Sequence, residues 1–189
     1  MAFKIKKPTK QAVALIRRSL VKLHRPGRRV TKRADELIIA APHKRYTITL
    51  ENVLKGNLDR ASFSGWRFLI LDGMKAIATA NLRIDRRSRK LLFSHFGYGS
   101  FVQNTVKGIR RAERLDDSDY ELRLLTIPGL NIVALWLRGK KEDQLIPLPP
   151  THRALKPFSI QSPVEFFECI KTAAKARLES ENNSPFSSS

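Results

Sequence analysis

The chain has 189 residues, with 36 Lys and Arg against 17 Asp and Glu, a formal charge of +19 and a sequence pI near 10.7. With 42% apolar residues and a single cysteine, Cys169, it is long and apolar enough for a packed core, which excludes global disorder, a disulfide framework and a Cys-rich zinc site. No apolar run approaches the roughly 18 residues of a membrane span, and Arg17 and Arg18 break the apolar stretch near the start, which speaks against a secretory signal.

The first quarter of the chain reads as a basic arm, residues 1–45. It holds 14 Lys and Arg against Asp35 and Glu36, a net +12, and no acid precedes Asp35. Thr9 is expected to cap a helix running to about His24. Val13, Ile16, Leu20 and Leu23 form its apolar stripe, with Lys10, Arg17 and Lys22 away from it. Arg25-Pro26-Gly27-Arg28-Arg29 is a cationic turn, followed by Lys32 and Arg33. Such a segment repels itself unless an anion neutralises it, which points to nucleic acid, an anionic lipid surface or an acidic protein. The stripe lacks the Trp or Phe that anchors a membrane-surface helix. An acid-free, Arg-containing start also resembles an organelle transit peptide, but Ser19 is the only serine before Arg33. The bland alternative is an apolar stripe packed on the domain beneath a solvated basic face.

The core is expected over residues 46–179. Thr47 or Thr49 caps a short helix through Leu50, Val53 and Leu54 that stops at Gly56. WRFLILD (66–72) and KAIATANLRI (75–84), joined by Asp72-Gly73, form a β-hairpin. A cationic turn from Asp85 to Lys90 leads into a third strand, LLFSHF. The period then changes: Ser100 caps a helix from Phe101 to about Leu115, lined by Phe101, Thr105, Ile109 and Ala112. After the acidic loop 116–119 come the strand YELRLLTI (120–127), the turn Pro128-Gly129, and LNIVALWLR (130–138), apolar on both faces and therefore central. QLIPL carries Pro147 and belongs at an edge. Ser162-Pro163-Val164-Glu165 is a capping box with Pro at the first helical position, opening a helix that buries Phe166, Phe167, Ile170, Ala174 and Leu178. Residues 180–189, rich in Ser and Asn, are expected to be disordered. This order predicts an α+β fold, a largely antiparallel sheet with helices packed on one face, preceded by a basic N-terminal helical arm.

Few motifs suggest chemistry. His95-Phe96-Gly97-Tyr98-Gly99-Ser100-Phe101-Val102 has a passing resemblance to the aromatic, Gly-containing signature of the RNA-recognition motif, whose strand aromatics stack bases. Phe96 stands where a basic residue should precede the first Gly, Ser100 breaks the spacing, and a helix follows where a strand should. The same glycines fit a strand-to-helix turn whose amides could hold an anion. Lys107, Arg110 and Arg114 form a basic stripe along that helix. Asp116, Asp117, Asp119 and Glu121 lack the Gly and length of a calcium loop, and His24, His43, His95 and His152 have no paired metal-ligand spacing. Cys169, beside Phe166 and Ile170, is expected to be interior or half-buried and inert. No nucleophile elbow, Walker loop or HExxH is present, so no catalytic residue, metal or cofactor is assigned.

The expected function is that of a non-catalytic binding protein in a reducing compartment, the cytoplasm, with organelle import the alternative location. Its expected ligand is the phosphate backbone of RNA or DNA, bound without sequence specificity. The neutralising cations would be Arg17, Arg18, Lys22, Arg25, Arg28, Arg29, Lys32 and Arg33. Arg86, Arg87, Arg89, Arg110 and Arg111 would add a second patch if the hairpin turn and the middle helix share a face. The alternative is a protein-interaction or assembly subunit whose arm meets an acidic partner. Base stacking would need exposed Tyr98, Phe96 or Trp66, whereas an interaction subunit would expose an apolar patch at Leu15, Leu20 and Leu23.

Overall fold

The computed structural model describes residues 8–23, 34–115 and 120–183. Four helices occur there: α1 (Lys10–Leu23), α2 (Leu50–Leu54), α3 (Ser100–Ala112) and α4 (Pro163–Asn182). Seven strands accompany them: β1 (Ile38–Thr47), β2 (Ser62–Asp72), β3 (Lys75–Ile84), β4 (Leu91–Gly97), β5 (Glu121–Ile127), β6 (Ile132–Arg138) and β7 (Gln144–Leu148). They form one sheet in the order β4-β3-β2-β1-β5-β6-β7. Each neighbouring pair is antiparallel except β1 and β5, which run parallel. A parallel pair needs a long crossover, and here the β2–β4 meander and α3 lie between its two strands in sequence.

The α+β class with a largely antiparallel sheet is as expected, but the helices divide between the faces. In β5 and β6, Leu125, Ile127, Ala134 and Trp136 point to the side of α2 and α4. Their alternates Leu122, Leu124, Leu135 and Leu137 point to the side of α3. Strands apolar on both faces need cover on both, so a one-sided helix layer would leave half of these leucines in water. Gly108 permits the close approach of α3: a methyl there would meet Leu148 at 2.6 Å and Leu135 at 2.9 Å. β6 is second from the edge, and β7, carrying Pro147, is the edge strand.

On the α4 side of β2 and β3, Trp66, Phe68, Ile70, Ala78, Ala80 and Leu82 pack with Ala12, Ile16 and Leu20 of α1. Ile16 and Leu20 of the expected stripe are buried, with Ala12 in place of the half-buried Val13, and the side chain of Leu23 lies outside the described residues. Thr9 caps the helix as expected, its Oγ1 accepting from the Ala12 amide at 3.2 Å. β1 crosses the arm–core boundary expected at residue 45, and Leu37 is already buried beside α1.

Other local expectations hold with shifts of a residue or two. Thr49 caps α2, and Ser162 and Glu165 close the capping box of α4. That helix continues to Asn182, past the disorder expected from residue 180; residues 184–189 lie outside the described residues. Gly99, with φ +80°, is the N-cap of α3 in place of Ser100, because the strand-to-helix turn needs a positive φ there. Cys169 is exposed rather than interior, on the outer side of α4. The acidic loop 116–119 lies outside the described residues.

Candidate functional site

The α3 side of the sheet changes character at β1. Under α3 the strands β5–β7 present an apolar surface, whereas β1–β4 add polar and cationic side chains, among them His43, Arg45, Arg67 and Asn81. Register places His43 opposite Arg67, Arg67 opposite Asn81, and Asn81 opposite His95, a single row across four strands. Directly opposed residues bring their Cβ atoms within about 5 Å. Arg45, two residues along β1 from His43, lies diagonal to Arg67 on the same face.

From His43 to Asn81 this row is buried, and it is not charge-compensated. Arg67 is 7% exposed and Asn81 0%. The Arg67 Nε donates to Asn81 Oδ1 at 2.8 Å, which fixes the guanidinium plane. Its Cζ lies 4.9 Å from the centre of the Phe101 ring, in the first turn of α3. The Nη1 of Arg67 and the Nε of Arg45 are buried with no hydrogen-bond acceptor. Among the described residues no Asp or Glu forms an ion pair with Arg45 or Arg67. Burial, with Arg45 nearby, pushes Arg67 down to about 9, and burial lowers Arg45 as well.

The histidines respond to the same field. His43 donates from Nδ1 to the Ala41 carbonyl at 2.7 Å, and burial plus Arg67 holds its pKa down at about 3, so the ring is neutral. Ala41, at φ +44°, directs that carbonyl back toward the ring. His95 is exposed, and its pKa is lowered by partial burial and then by Arg45 and Arg67. At neutral pH the cluster therefore carries the two guanidinium charges.

A groove of about 470 Å³ runs along one flank of α3. Leu69 and Leu71 of β2, Met74, and Lys75, Lys107 and Arg110 line it, and no Asp or Glu does. Leu69 is two residues along β2 from Arg67 on the same face, so cluster and groove lie on one side of the sheet. Between them α3 runs from Phe101 over the cluster to Lys107 and Arg110 at the groove, and the two are stretches of one cationic track. The N-terminus of α3 borders the track, with neither a side-chain cap nor an acidic residue in its first turn. Its partial positive charge adds to the field.

The sequence-derived cations fall in three groups. Arg25, Arg28, Arg29, Lys32 and Arg33 lie outside the described residues, as does the side chain of Lys22. Arg18 is exposed on α1, but Arg17 is not free to dock: its Nη1 donates to the Ala34 and Leu37 carbonyls, both at 2.8 Å, tying α1 to the start of β1. Arg110 lines the groove, and Arg111 is exposed about 100° further round the helix. Arg86, Arg87 and Arg89 are exposed on the β3–β4 turn. The second patch is therefore corrected: Arg110 lies beside Lys75 at one end of β3, and the turn is at the other, about 30 Å away.

Sequence reasoning missed Arg45, Arg67, Asn81 and His95. Arg67 inside Trp66-Arg67-Phe68 and Asn81 inside Ala80-Asn81-Leu82 were the available signals, each a polar residue in an otherwise apolar strand. Comparison with family models, curated proteins and solved structures finds no match to this chain. Among the described residues no three His, Cys, Asp or Glu converge as a metal site, and no helix is long and apolar enough to cross a membrane.

Proposed function

We propose that this chain binds nucleic acid through the phosphate backbone, without catalysis, along the cationic track between the β1–β3 face and α3. The observation that carries this reading is a set of Arg and Lys along α3 whose groove no carboxylate lines, in a chain of charge +19. Acids elsewhere are matched locally: on α4, Lys171 pairs with Glu168, Lys175 with Glu179 and Arg177 with Glu181. Phosphate contacts of this kind give affinity and position but do not read bases. Of the candidate stacking aromatics, Tyr98 is 44% exposed, whereas Trp66 is buried and Phe96 packs on Phe93. Of the apolar patch that an assembly subunit would offer, Leu20 is buried between α1 and the sheet.

The test is binding of the full chain to labelled single- and double-stranded RNA and DNA across a salt series. Heparin and an acidic protein serve as competitors. Binding should fall steeply with salt, and Lys107→Glu with Arg110→Glu should reduce the log–log slope by about 0.9 per lost duplex phosphate contact. Binding that vanishes at physiological salt, or an acidic protein competing as well as DNA, would replace this reading with the acidic-partner one.

A further inference from the structure

We propose that Arg45 and Arg67, with His95 at the rim and the first turn of α3 alongside, form a binding site for one phosphate monoester group. Backbone docking needs only exposed cations, so this inference goes beyond it and concerns the buried end of the track.

Three observations point to a ligand from outside the chain. Buried guanidinium groups in folded proteins are paired or hydrogen-bonded, because desolvating an unpaired charge costs several kcal/mol. Arg67 is 7% exposed, yet its Nη1 has no acceptor, and Arg45 Nε is in the same state. The guanidinium is also held in place: Asn81 takes its Nε–H and Phe101 lies against its face. A side chain fixed by its neighbours while donors stay unfilled is preorganised for a ligand. Finally, the approach is open on one side, since His95 is exposed and Arg45 only half-buried.

The charge count selects the class of anion. Both histidines are neutral at pH 7, leaving two positive charges. A phosphate monoester carries close to two negative charges above pH 7 and three acceptor oxygens. A phosphodiester or a carboxylate carries one charge. Guanidinium forks match the tetrahedral oxygens of phosphate in paired hydrogen bonds, which ammonium groups do not. The source could be a free mononucleotide or the 5′-phosphate end of a strand, and the two share this chemistry.

Calorimetric titration of the full chain near pH 8, at matched ionic strength, tests the site with inorganic phosphate, a nucleoside 5′-monophosphate, and oligonucleotides with and without a 5′-phosphate. Saturable one-site binding of phosphate and the mononucleotide is expected, at least tenfold weaker in Arg67→Met and in Arg45→Met. Preference for the phosphorylated oligonucleotide over both small ligands would assign the source to a strand end, and equal or weaker binding would assign it to a free nucleotide. Asn81→Asp places a carboxylate on Arg67 inside the fold and should abolish phosphate binding while raising the melting temperature. No saturable binding, or undiminished binding in both Met variants, would overturn the site. So would failure of both Met variants to fold, because an uncompensated buried charge is not required for folding. Lys107→Glu with Arg110→Glu should leave mononucleotide binding within about threefold of wild type while weakening long nucleic acid, so the two readings fail separately.

Discussion

On the α4 side of the sheet, Arg123 lies over the rings of Tyr46 and Trp136, 5.0 and 4.7 Å from their centres, and pairs with Glu121 at 3.0 Å. Next to it, Arg138 pairs with Asp143 at 2.8 Å and Asp59 at 2.9 Å, and the Asp143 hydrogen bond raises its pKa further. On the α3 side, Arg67 is buried against the Phe101 ring and Arg45 is half-buried, and neither pairs with an acid among the described residues. The same residue type thus stands in the same sheet under opposite electrostatic conditions. The first pair is complete as the chain folds and serves stability. The second leaves donors without an acceptor, the feature on which the proposed phosphate site rests.

The largest effect should come from breaking the complete side. Asp143 accepts from Trp136 Nε1 at 2.9 Å, Arg138 Nη1 at 2.8 Å and the Gly139 amide at 3.1 Å. Asp143→Ala strips all three donors of their acceptor and should cost about 3–5 kcal/mol in denaturant melts. A loss below about 1 kcal/mol would mean that the α4-side ion pairs are ornamental and that the contrast between the faces is not one of stability.

Next is the pH dependence built into His43. Its pKa lies near 3 in the folded protein, against an ordinary value of 6.5, so the folded state keeps the ring neutral where the unfolded state takes up a proton. The corresponding stability is fully present above about pH 6.5 and is lost as pH falls toward 3. Between pH 6.5 and 4 the span is about 3 kcal/mol. His43→Asn keeps a donor for the Ala41 carbonyl and removes the titration. Its melting temperature should therefore fall less steeply than that of wild type between pH 6.5 and 4. Parallel curves for the two proteins would show that the α3-side field does not hold His43 neutral.

Arg67→Met should act with the opposite sign to Asp143→Ala. Without phosphate it removes a desolvated, uncompensated charge and keeps the bulk against Phe101, so stability should be unchanged or rise by about 1–3 kcal/mol. Destabilisation by as much as the Asp143 variant would erase the distinction between the two faces.

What the sequence disclosed followed the range of the interactions. The capping box at Ser162 and Glu165, the Asp72-Gly73 hairpin and the Thr49 cap each depend on residues a few positions apart, and each is where it was expected. The row His43, Arg67, Asn81 and His95 depends on three strand registers at once, so its members are neighbours only after the sheet has formed. Arg17 misled for a related reason. A cation off the apolar stripe of a helix reads as solvated, but the carbonyls of Ala34 and Leu37 return to meet it 17 and 20 residues later. Composition located the charge correctly and its density pointed to the arm, whereas the α3-side cations are few and interspersed among apolar strand residues.

The smallest expected change in stability concerns the exposed cations, and it separates them from both arginine pairs. Arg86 and Arg87 stand in the β3–β4 turn, exposed. The turn is shaped by Asp85, whose carboxylate accepts from the Ser88 amide at 2.9 Å and whose pKa is lowered by Ser88. The Arg89 amide returns to the Asp85 carbonyl at 2.9 Å. Neither contact uses the side chain of Arg86 or Arg87, so Arg86→Glu with Arg87→Glu should shift stability by no more than about 0.5 kcal/mol. If the turn contributes phosphate contacts, the same pair should weaken binding to long nucleic acid and leave mononucleotide binding unchanged, because the turn is about 30 Å along β3 from Lys75. A stability loss above about 1 kcal/mol would make these arginines structural, as Arg17 is, and confine the docking surface to the track beside α3.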